Sequence, residues 1–275
     1  MVRIINNPQS LLVVAVPLLL IVQLLLPLSL GLGVTLKFGQ RIRSSSSSSI
    51  SMSRGMKNSL EKDEEEVDDC YLTEGTKSII GEMECIIGQD DGGRGMKSLI
   101  VPGDLLKGAM CVAGLTCGST VLVLSGFPCC VTHDIPTETD GPPGALAIAR
   151  AVVALGHKVV IVTDDCNKAV FDAACHGHSW ATTPPSDNNN NRKNRNSLSL
   201  MTFPGNDKMT RLDRERMKDL AIGCDLIIAC ERAGPAMDGN CYTMRGIDMT
   251  SLGLIAPLDT IVQLARDTSN HNNHN

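Results

Sequence analysis

Three short apolar runs rich in β-branched residues lie in the middle of the chain, each bounded by glycine or charged residues. They occupy positions 120–125, 158–163 and 225–229. A short run that does not alternate with polar residues is typical of a strand buried on both faces of a sheet. The sequence therefore predicts three buried strands.

Helical periodicity fills the segments between and around these runs. Apolar residues recur three and four positions apart in 104–113, 145–155, 167–174, 212–221 and 258–266. Pro142 and Pro143 precede the second of these segments, in a first turn where a missing N–H is tolerated. Strands that alternate with helices predict a single α/β layered domain over 75–266, with a mostly parallel sheet flanked by helices.

Two polar segments break this pattern. Residues 176–211 include four consecutive asparagines at 188–191, and the tail 267–275 is rich in Asn and His. Neither shows a helical or strand period. We predict that 176–211 is a disordered insertion in the domain and that 267–275 is a disordered tail.

The first 36 residues form a hydrophobic segment. No charge occurs between positions 4 and 36, and residues 11–36 are mostly Leu, Val and Ile. At about 1.5 Å per residue this stretch is long enough to cross a bilayer core of about 30 Å. The alternatives are a retained transmembrane anchor, which would make the membrane a partner, and a signal peptide cleaved at Gly31-Leu32-Gly33.

Residues 37–74 change character twice. The part 37–59 carries five basic residues, nine serines and no acid, whereas 61–69 carries seven acids. A basic, Ser-rich composition is typical of an organellar transit peptide, and a basic linker beside a membrane is the alternative. The sequence thus predicts import into a mitochondrion or plastid, or membrane anchoring.

Composition excludes several classes of partner and site. Hydrophobic residues make up 43% of the chain, aromatic residues only 3%, and the net charge is −5. A nucleic-acid partner is therefore not expected, because the chain has neither a broad basic field nor stacking platforms.

Eleven cysteines occur without a C-x-x-C pair, which favours free thiols in a reducing compartment.

Charged and backbone-donor residues follow each predicted strand. Ligands of parallel α/β sheets bind outside the carboxyl ends of the strands, so these residues are the candidate site. As an alternative, Asp140 caps the helix that follows it. We expect acid–base roles for His133, Asp140 and Glu231. We expect substrate-binding roles for the remaining candidates, which are Gly126, Phe127, Glu138, Asp164, Arg232, Asp238, Arg245 and Asp248.

Known cofactor motifs are not in the sequence. Neither G-x-G-x-x-G between a strand and a helix nor G-x-x-x-x-G-K-[ST] occurs, so no dinucleotide or nucleoside triphosphate is expected. We predict no resident cofactor. One alternative stays open, since hard oxygen ligands for Mg²⁺ or Mn²⁺ would be available if four carboxylates converge: Asp140, Asp164, Glu231 and Asp238.

A combination of motifs carries a family resemblance. It consists of Gly126-Phe-Pro, Glu138-Thr-Asp-Gly-Pro-Pro-Gly-Ala145, Val162-Thr-Asp-Asp165, Glu231-Arg-Ala-Gly234 and Met244-Arg-Gly-Ile-Asp248. Over roughly 79–266 the chain closely resembles the D-glutamate cyclase C-terminal domain family. The resemblance implies conversion of D-glutamate to 5-oxo-D-proline and water, in mitochondria for the animal members.

The chemistry of such a reaction matches the candidate residues. Lactam closure needs an unprotonated α-amine as nucleophile, a protonated oxygen that leaves as water and donors for the developing oxyanion. Amine and γ-carbon must also approach to about 3–3.5 Å. Carboxylates, an arginine and backbone N–H groups supply these functions.

The sequence also departs from the family pattern. Pro235, Cys241 and Thr243 stand where the family has Arg, Tyr and Asn, and a family segment of the form T-G-D-G-G-N-E is not in this sequence. The resemblance thus implies a domain without its C-terminal part. Two other functions stay open: a non-catalytic α/β module and a metal-dependent hydrolase.

Overall fold

The structure is a computed structural model that describes residues 2–5, 11–14, 72–91, 93, 95–175 and 198–272. Its strands are β1 (Val2–Ile5), β2 (Leu11–Val14), β3 (Thr120–Gly126), β4 (Lys158–Asp164), β5 (Leu198–Phe203) and β6 (Leu226–Arg232). Its α-helices are α1 (Glu74–Ile87), α2 (Asp104–Ala113), α3 (Gly141–Ala154), α4 (Lys168–Cys175), α5 (Arg211–Gly223) and α6 (Asp259–Asn272).

All six strands belong to one sheet in the order β2-β1-β6-β3-β4-β5. The four strands β6, β3, β4 and β5 run parallel, while β1 is antiparallel to both β6 and β2. The three strands predicted from the sequence are therefore confirmed as neighbours. The α/β layered fold with a mostly parallel sheet is confirmed as well.

Alternate residues of each central strand point to opposite faces of the sheet. Val121 and Val123 pack among buried residues of α1 to α4, whereas Leu122 and Leu124 pack among those of α5 and α6. All four side chains are at most 2% exposed. Strands covered on both faces must be apolar throughout, which is why these runs do not alternate with polar residues.

The connections reverse direction between β3 and β6. From β3 the chain passes through α3 to β4 and through α4 to β5, and it then returns through α5 to β6 on the other side of β3. The segment after β3 leads to one face of the sheet, and the segment after β6 leads to α6 on the other face. Such a switch point leaves a crevice at the carboxyl ends of the two strands.

Part of the predicted insertion 176–211 forms regular structure. Residues 198–203 form strand β5, which pairs parallel with β4 at the edge of the sheet, and α5 begins at Arg211. The strand was missed because its alternating Ser-Leu-Ser-Leu pattern adjoins a polar, Asn-rich stretch. The part 176–197 lies outside the described residues.

Both ends of the chain contain regular structure that the sequence pattern did not predict. Residues 2–5 and 11–14, which we assigned to an anchor or signal segment, form the antiparallel edge of the sheet. Residues 15–71 lie outside the described part, and α1 begins within the predicted linker 37–74. At the other end, α6 continues through 267–272, which we predicted to be a disordered tail. Among the helices that the structure describes, none has the length and apolar character needed to span a bilayer.

Candidate active site

A bulge near the end of β6 turns Glu231 out of the strand ladder. Ser125 of β3 is paired with Cys230 and Gly126 with Arg232, so the register with β3 shifts at Glu231. Its backbone adopts a left-handed conformation with φ of 49°. Bulges of this kind re-aim a side chain at the end of a strand.

The re-aimed side chain of Glu231 packs against the first residue of α3. A Cβ atom added to Gly141 would lie 2.8 Å from Glu231 Cβ and 3.4 Å from Cγ. Real Cβ atoms do not approach other carbons this closely, so only glycine fits at position 141. The absence of a side chain there lets the end of β6 touch the start of α3.

Three carboxylates meet at this contact. Glu138, Asp140 and Glu231 each place an oxygen within 4.8 Å of the others. Asp140 is the N-cap residue of α3, yet its side chain makes no capping hydrogen bond, so the capping alternative is not realised. We call these three side chains the carboxylate cluster. It lies at the switch point between β3 and β6.

The loop that brings Glu138 to this cluster is fixed by hydrogen bonds at both of its ends. The N–H of Glu138 donates to the carbonyl of Phe127 at 3.1 Å, and that of Cys130 donates to Pro136 at 2.8 Å. The buried hydroxyl of Thr137 donates to the side-chain oxygen of Asn167. The loop therefore moves with the ends of β3 and β4.

Asn167 and Gly126 fit against each other at the base of this loop. The Asn167 amide donates to Thr163 Oγ1 and to Asp164 Oδ2, both at 2.9 Å. A Cβ atom on Gly126 would lie 2.2 Å from Asn167 Nδ2, and φ of Gly126 is +108°. Gly126 is thus required for packing, in addition to any role as a backbone donor.

Asp164 and Arg232 form a buried ion pair behind the carboxylate cluster. Asp164 Oδ2 accepts from Arg232 Nη1, and Oδ1 accepts from the N–H of Ala256 at 2.7 Å. Arg232 Nη2 donates to the carbonyl of Ala256 at 2.7 Å. Both side chains are at least 94% buried. This burial is tolerated because both carboxylate oxygens and all guanidinium nitrogens except Nε are paired within the protein. Their contacts tie together β4, β6 and the start of α6.

The segment 233–258 forms a separate small unit between β6 and α6. Its apolar contacts are made by Ala233, Cys241, Met249 and Ile255, and Phe127 packs against them. Tyr242 and Asp248 form a short antiparallel bridge. Phe127 therefore connects the loop after β3 to this segment.

Two of the predicted binding residues shape this segment. Asp238 accepts from the hydroxyl of Tyr242 and from the N–H of Asn240, and these hydrogen bonds lower its pKa. Asp248 accepts from Ser251 and from two backbone N–H groups, which also lowers its pKa. Both carboxylates are therefore engaged with their own loop.

His133 and Arg245 are exposed. The Nδ1 atom of His133 lies 3.3 Å from the carbonyl oxygen of Cys130, and the imidazole is not part of the carboxylate cluster. Within the described part of the chain, no salt bridge involves Arg245. Of the three predicted acid–base residues, the structure brings together Asp140 and Glu231 and leaves His133 apart.

Comparison with known proteins identifies the family to which this chain belongs. A family model described as "D-glutamate cyclase-like, C-terminal" matches residues 83–272. This chain belongs to that family. The match begins within α1, ends with α6 and includes every residue of the carboxylate cluster.

A human protein of similar sequence supports the same assignment. The chain is 29% identical over 191 residues to the human protein "D-glutamate cyclase, mitochondrial", an alignment that covers 68% of this chain and 28% of the human protein. The chain therefore spans less than a third of this curated relative. No solved structure matches the chain.

From the sequence we considered four carboxylates as ligands for a metal ion. In the D-glutamate cyclase-like domain a different set of acidic side chains lies close together. Asp140 and Glu231 converge, and Glu138 is the third member. Asp164 is instead paired with Arg232, and Asp238 with Tyr242. A cavity of about 260 Å³ elsewhere, between α5 and the sheet, contains none of the candidate residues.

Sequence reasoning missed three residues that build this site in the D-glutamate cyclase-like domain. Thr137 and Asn167 hold the loop that carries Glu138, and the backbone of Ala256 holds the ion pair. Asn167 follows the second predicted strand by four residues, which was a usable signal. Nothing in the local sequence marks Ala256, because it acts through its main chain.

Proposed function

We propose that this chain is a lyase of the D-glutamate cyclase type, which converts D-glutamate to 5-oxo-D-proline and water. Membership of the family supports this reaction class. The observation that carries the proposal is the carboxylate cluster at the switch point, where ligands of parallel sheets bind. A small amino acid with an ammonium group is a suitable partner for such a cluster.

The proton balance of the reaction favours several carboxylates in one place. The ammonium nitrogen loses two protons as it forms the new bond to the γ-carbon, and one γ-oxygen leaves with two protons as water. The reaction therefore consumes no proton overall, and the site only moves protons from nitrogen to oxygen. Carboxylates that contact both atoms do this by acting first as base and then as acid.

The structure suggests how these tasks are divided. We propose that Glu231 is the base for the ammonium, because its contact with Gly141 fixes its position. Asp140 is exposed at the helix terminus and would return the proton to the leaving oxygen, while Glu138 would hold the ammonium. The positive end of the α3 dipole would stabilise the oxyanion. Arg245 is a proposed partner for the α-carboxylate.

The direct test is formation of 5-oxoproline from D-glutamate by the purified full chain. The substitution Glu231→Gln keeps the shape of the side chain and removes its basicity, so we expect turnover to fall about a hundredfold or more. The melting temperature should stay within a few degrees. Glu215→Gln is the matched control, because Glu215 is exposed on α5 and paired only with Arg211. Full turnover by Glu231→Gln would refute the assignment.

A metal-dependent hydrolase is the second candidate function. Three carboxylates within 4.8 Å of one another are a donor set that suits Mg²⁺ or Mn²⁺. Turnover of phosphate esters alone, abolished by a chelator, would support this candidate. Product from D-glutamate in the presence of the chelator would support the cyclase. A folded chain that turns over neither substrate would instead support the non-catalytic module.

A further inference from the structure

Two adjacent cysteines lie in the loop that carries Glu138. Cys129 and Cys130 are half-buried, and their sulfur atoms are 4.0 Å apart. The Cys129 thiol lies beside the Glu138 carboxylate, one of the three members of the carboxylate cluster. The pair is therefore accessible to small molecules and next to the candidate active site. The lyase function proposed above does not use either thiol.

We propose that Cys129 and Cys130 form a reversible disulfide that displaces Glu138 from the carboxylate cluster. A disulfide brings two sulfur atoms to about 2.05 Å, so the pair must close by roughly half its present separation. Adjacent Cα atoms lie closer together than those of an ordinary disulfide, so this closure also shifts the backbone at Cys129 and Cys130. Hydrogen bonds pin the loop at Cys130 and Glu138, and the Thr137–Asn167 contact pins it next to Glu138.

The bond would be easily reduced. Disulfides usually join residues whose Cα atoms are about 4.4–6.8 Å apart, whereas adjacent residues are held at about 3.8 Å. The ring is therefore strained, and strained disulfides have more oxidising potentials and act as labile, regulatory bonds. Such a pair suits a reversible response to a low-molecular-weight disulfide.

The two thiols have different parts in the reaction. Burial and the neighbouring Glu138 carboxylate raise the pKa of Cys129 to about 12, so Cys129 stays protonated at neutral pH. The Cys130 thiolate attacks glutathione disulfide and releases one glutathione. Cys129 then attacks the Cys130 sulfur, and its proton passes through solvent to the second glutathione thiolate as that thiolate leaves. Two S–H bonds are replaced by one S–S bond, and the oxidant takes both electrons.

The test is treatment of the full chain with glutathione disulfide. We expect a mass loss of two hydrogen atoms, a 129–130 crosslink by peptide mapping and reversal by dithiothreitol. Amide exchange in 127–140 should become faster, because the hydrogen bonds of Cys130 and Glu138 must open. Cys130→Ser should show neither change, and Cys117→Ser, which removes an exposed thiol outside this loop, should behave as the parent.

The effect of the disulfide on turnover rests on the proposed lyase function, whereas crosslinking and amide exchange do not. Measuring all three therefore tests the two proposals separately. Crosslinking with faster exchange supports the switch whether or not the chain makes 5-oxoproline. If it does, turnover should fall at least tenfold and recover on reduction. A stable glutathione adduct in place of the crosslink would overturn the proposal. So would a crosslink that leaves both exchange and turnover unchanged.

Discussion

At the scale of single residues, two glycines with left-handed backbone show how differently such positions are constrained. Gly118 has φ of +89° and open space where a Cβ would lie. Gly126 has φ of +108°, and a Cβ added to it would lie within 2.5 Å of both Asn167 Nδ2 and Thr163 Oγ1. The first glycine serves a turn, whereas the second allows two strand ends to share one hydrogen-bond network.

Alanine at these two positions should therefore have unequal effects. Gly118→Ala should lower the free energy of unfolding by about 1–2 kcal/mol, the cost of the left-handed conformation. Gly126→Ala adds overpacking and should lower it by a further 1–3 kcal/mol or so. Denaturant unfolding of both variants measures the difference. Equal losses would show that the Asn167 contact yields without cost.

His157, just before β4, is a buried titratable group far from the carboxylate cluster. It is only 3% exposed, and within the described residues its Nδ1 atom has no hydrogen-bond partner. Burial lowers its pKa below the ordinary value of 6.5, although Asp225 opposes the shift. The folded protein therefore prefers the neutral imidazole.

This shift makes stability depend on pH in a defined direction. Above pH 6.5 the imidazole is neutral in both states and its contribution is fully present. As pH falls below that value the unfolded chain takes up the proton first, so the free energy of unfolding decreases. His157→Gln should flatten this part of the profile, and exposed His133→Gln should not. Parallel profiles for His157→Gln and the parent would contradict the assignment.

The sequence predicted where the candidate residues lie better than it predicted which contacts they make. Asp140 and Glu231 were placed correctly beside the strand ends, because adjacent parallel strands end at one edge. The sequence does not reveal that the Asp164 carboxylate forms an ion pair with Arg232. Which carboxylate is paired depends on the path of the segment 233–258, and local pattern does not encode that path.

At the scale of elements, the contact between α3 and β6 determines the geometry of the carboxylate cluster. Gly141 meets Glu231, and one turn later Gly144 faces Cys230, whose Sγ would lie 3.4 Å from an added Cβ. Two small residues on one face let the helix approach the strand closely. The position of the helix terminus thus fixes Asp140 relative to Glu231.

Alanine substitutions on this face should separate packing from function. Gly141→Ala should push Glu231 aside and reduce turnover about tenfold to a hundredfold. Gly144→Ala should leave turnover unchanged and raise the melting temperature slightly, because alanine favours helix by up to about 1 kcal/mol. Kinetics with D-glutamate and thermal unfolding measure the two effects. Loss of turnover in Gly144→Ala would indicate that the whole helix shifts.

Helices with a clear apolar period were predicted closely, and the weaker strands were not. The predicted segment 104–113 coincides with α2. Strand β5 escaped detection because four of its six positions are only partly buried and its polar residues merge with the preceding Asn-rich stretch. Strands β1 and β2 lie within a hydrophobic segment that is equally typical of a membrane anchor.

At the scale of the whole molecule, residues 2–5 and 11–14 belong both to the sheet and to the segment for which we propose a targeting role. Residues 2–5 pair with β6 and cover an edge that would otherwise expose unpaired backbone groups. Cleavage of a signal peptide would remove both edge strands. The mitochondrial name of the human relative agrees with our proposal that residues 1–60 direct organelle import or membrane association.

A reporter fusion tests this proposal. Residues 1–60 joined to a fluorescent protein should give organellar or membrane fluorescence, while residues 72–275 in the same fusion should stay diffuse. Replacing the basic residues of 37–59 by glutamine should reduce import into an organelle. The size of the fusion distinguishes a cleaved segment from a retained one. Diffuse fluorescence from the 1–60 fusion would refute the targeting role.

The contacts of Arg232 also join the two ends of the segment 233–258. The chain leaves the sheet at Arg232, and the same side chain bonds to the carbonyl of Ala256, 24 residues later, where the chain returns. The two ends of the intervening segment are therefore held together by this hydrogen bond whatever the length of the segment. The entropic cost of closing a loop grows only with the logarithm of its length. The segment can therefore be replaced by a longer or shorter one at little cost in stability. Members of one fold could in this way acquire different ligand preferences while the sheet and its carboxylates stay the same.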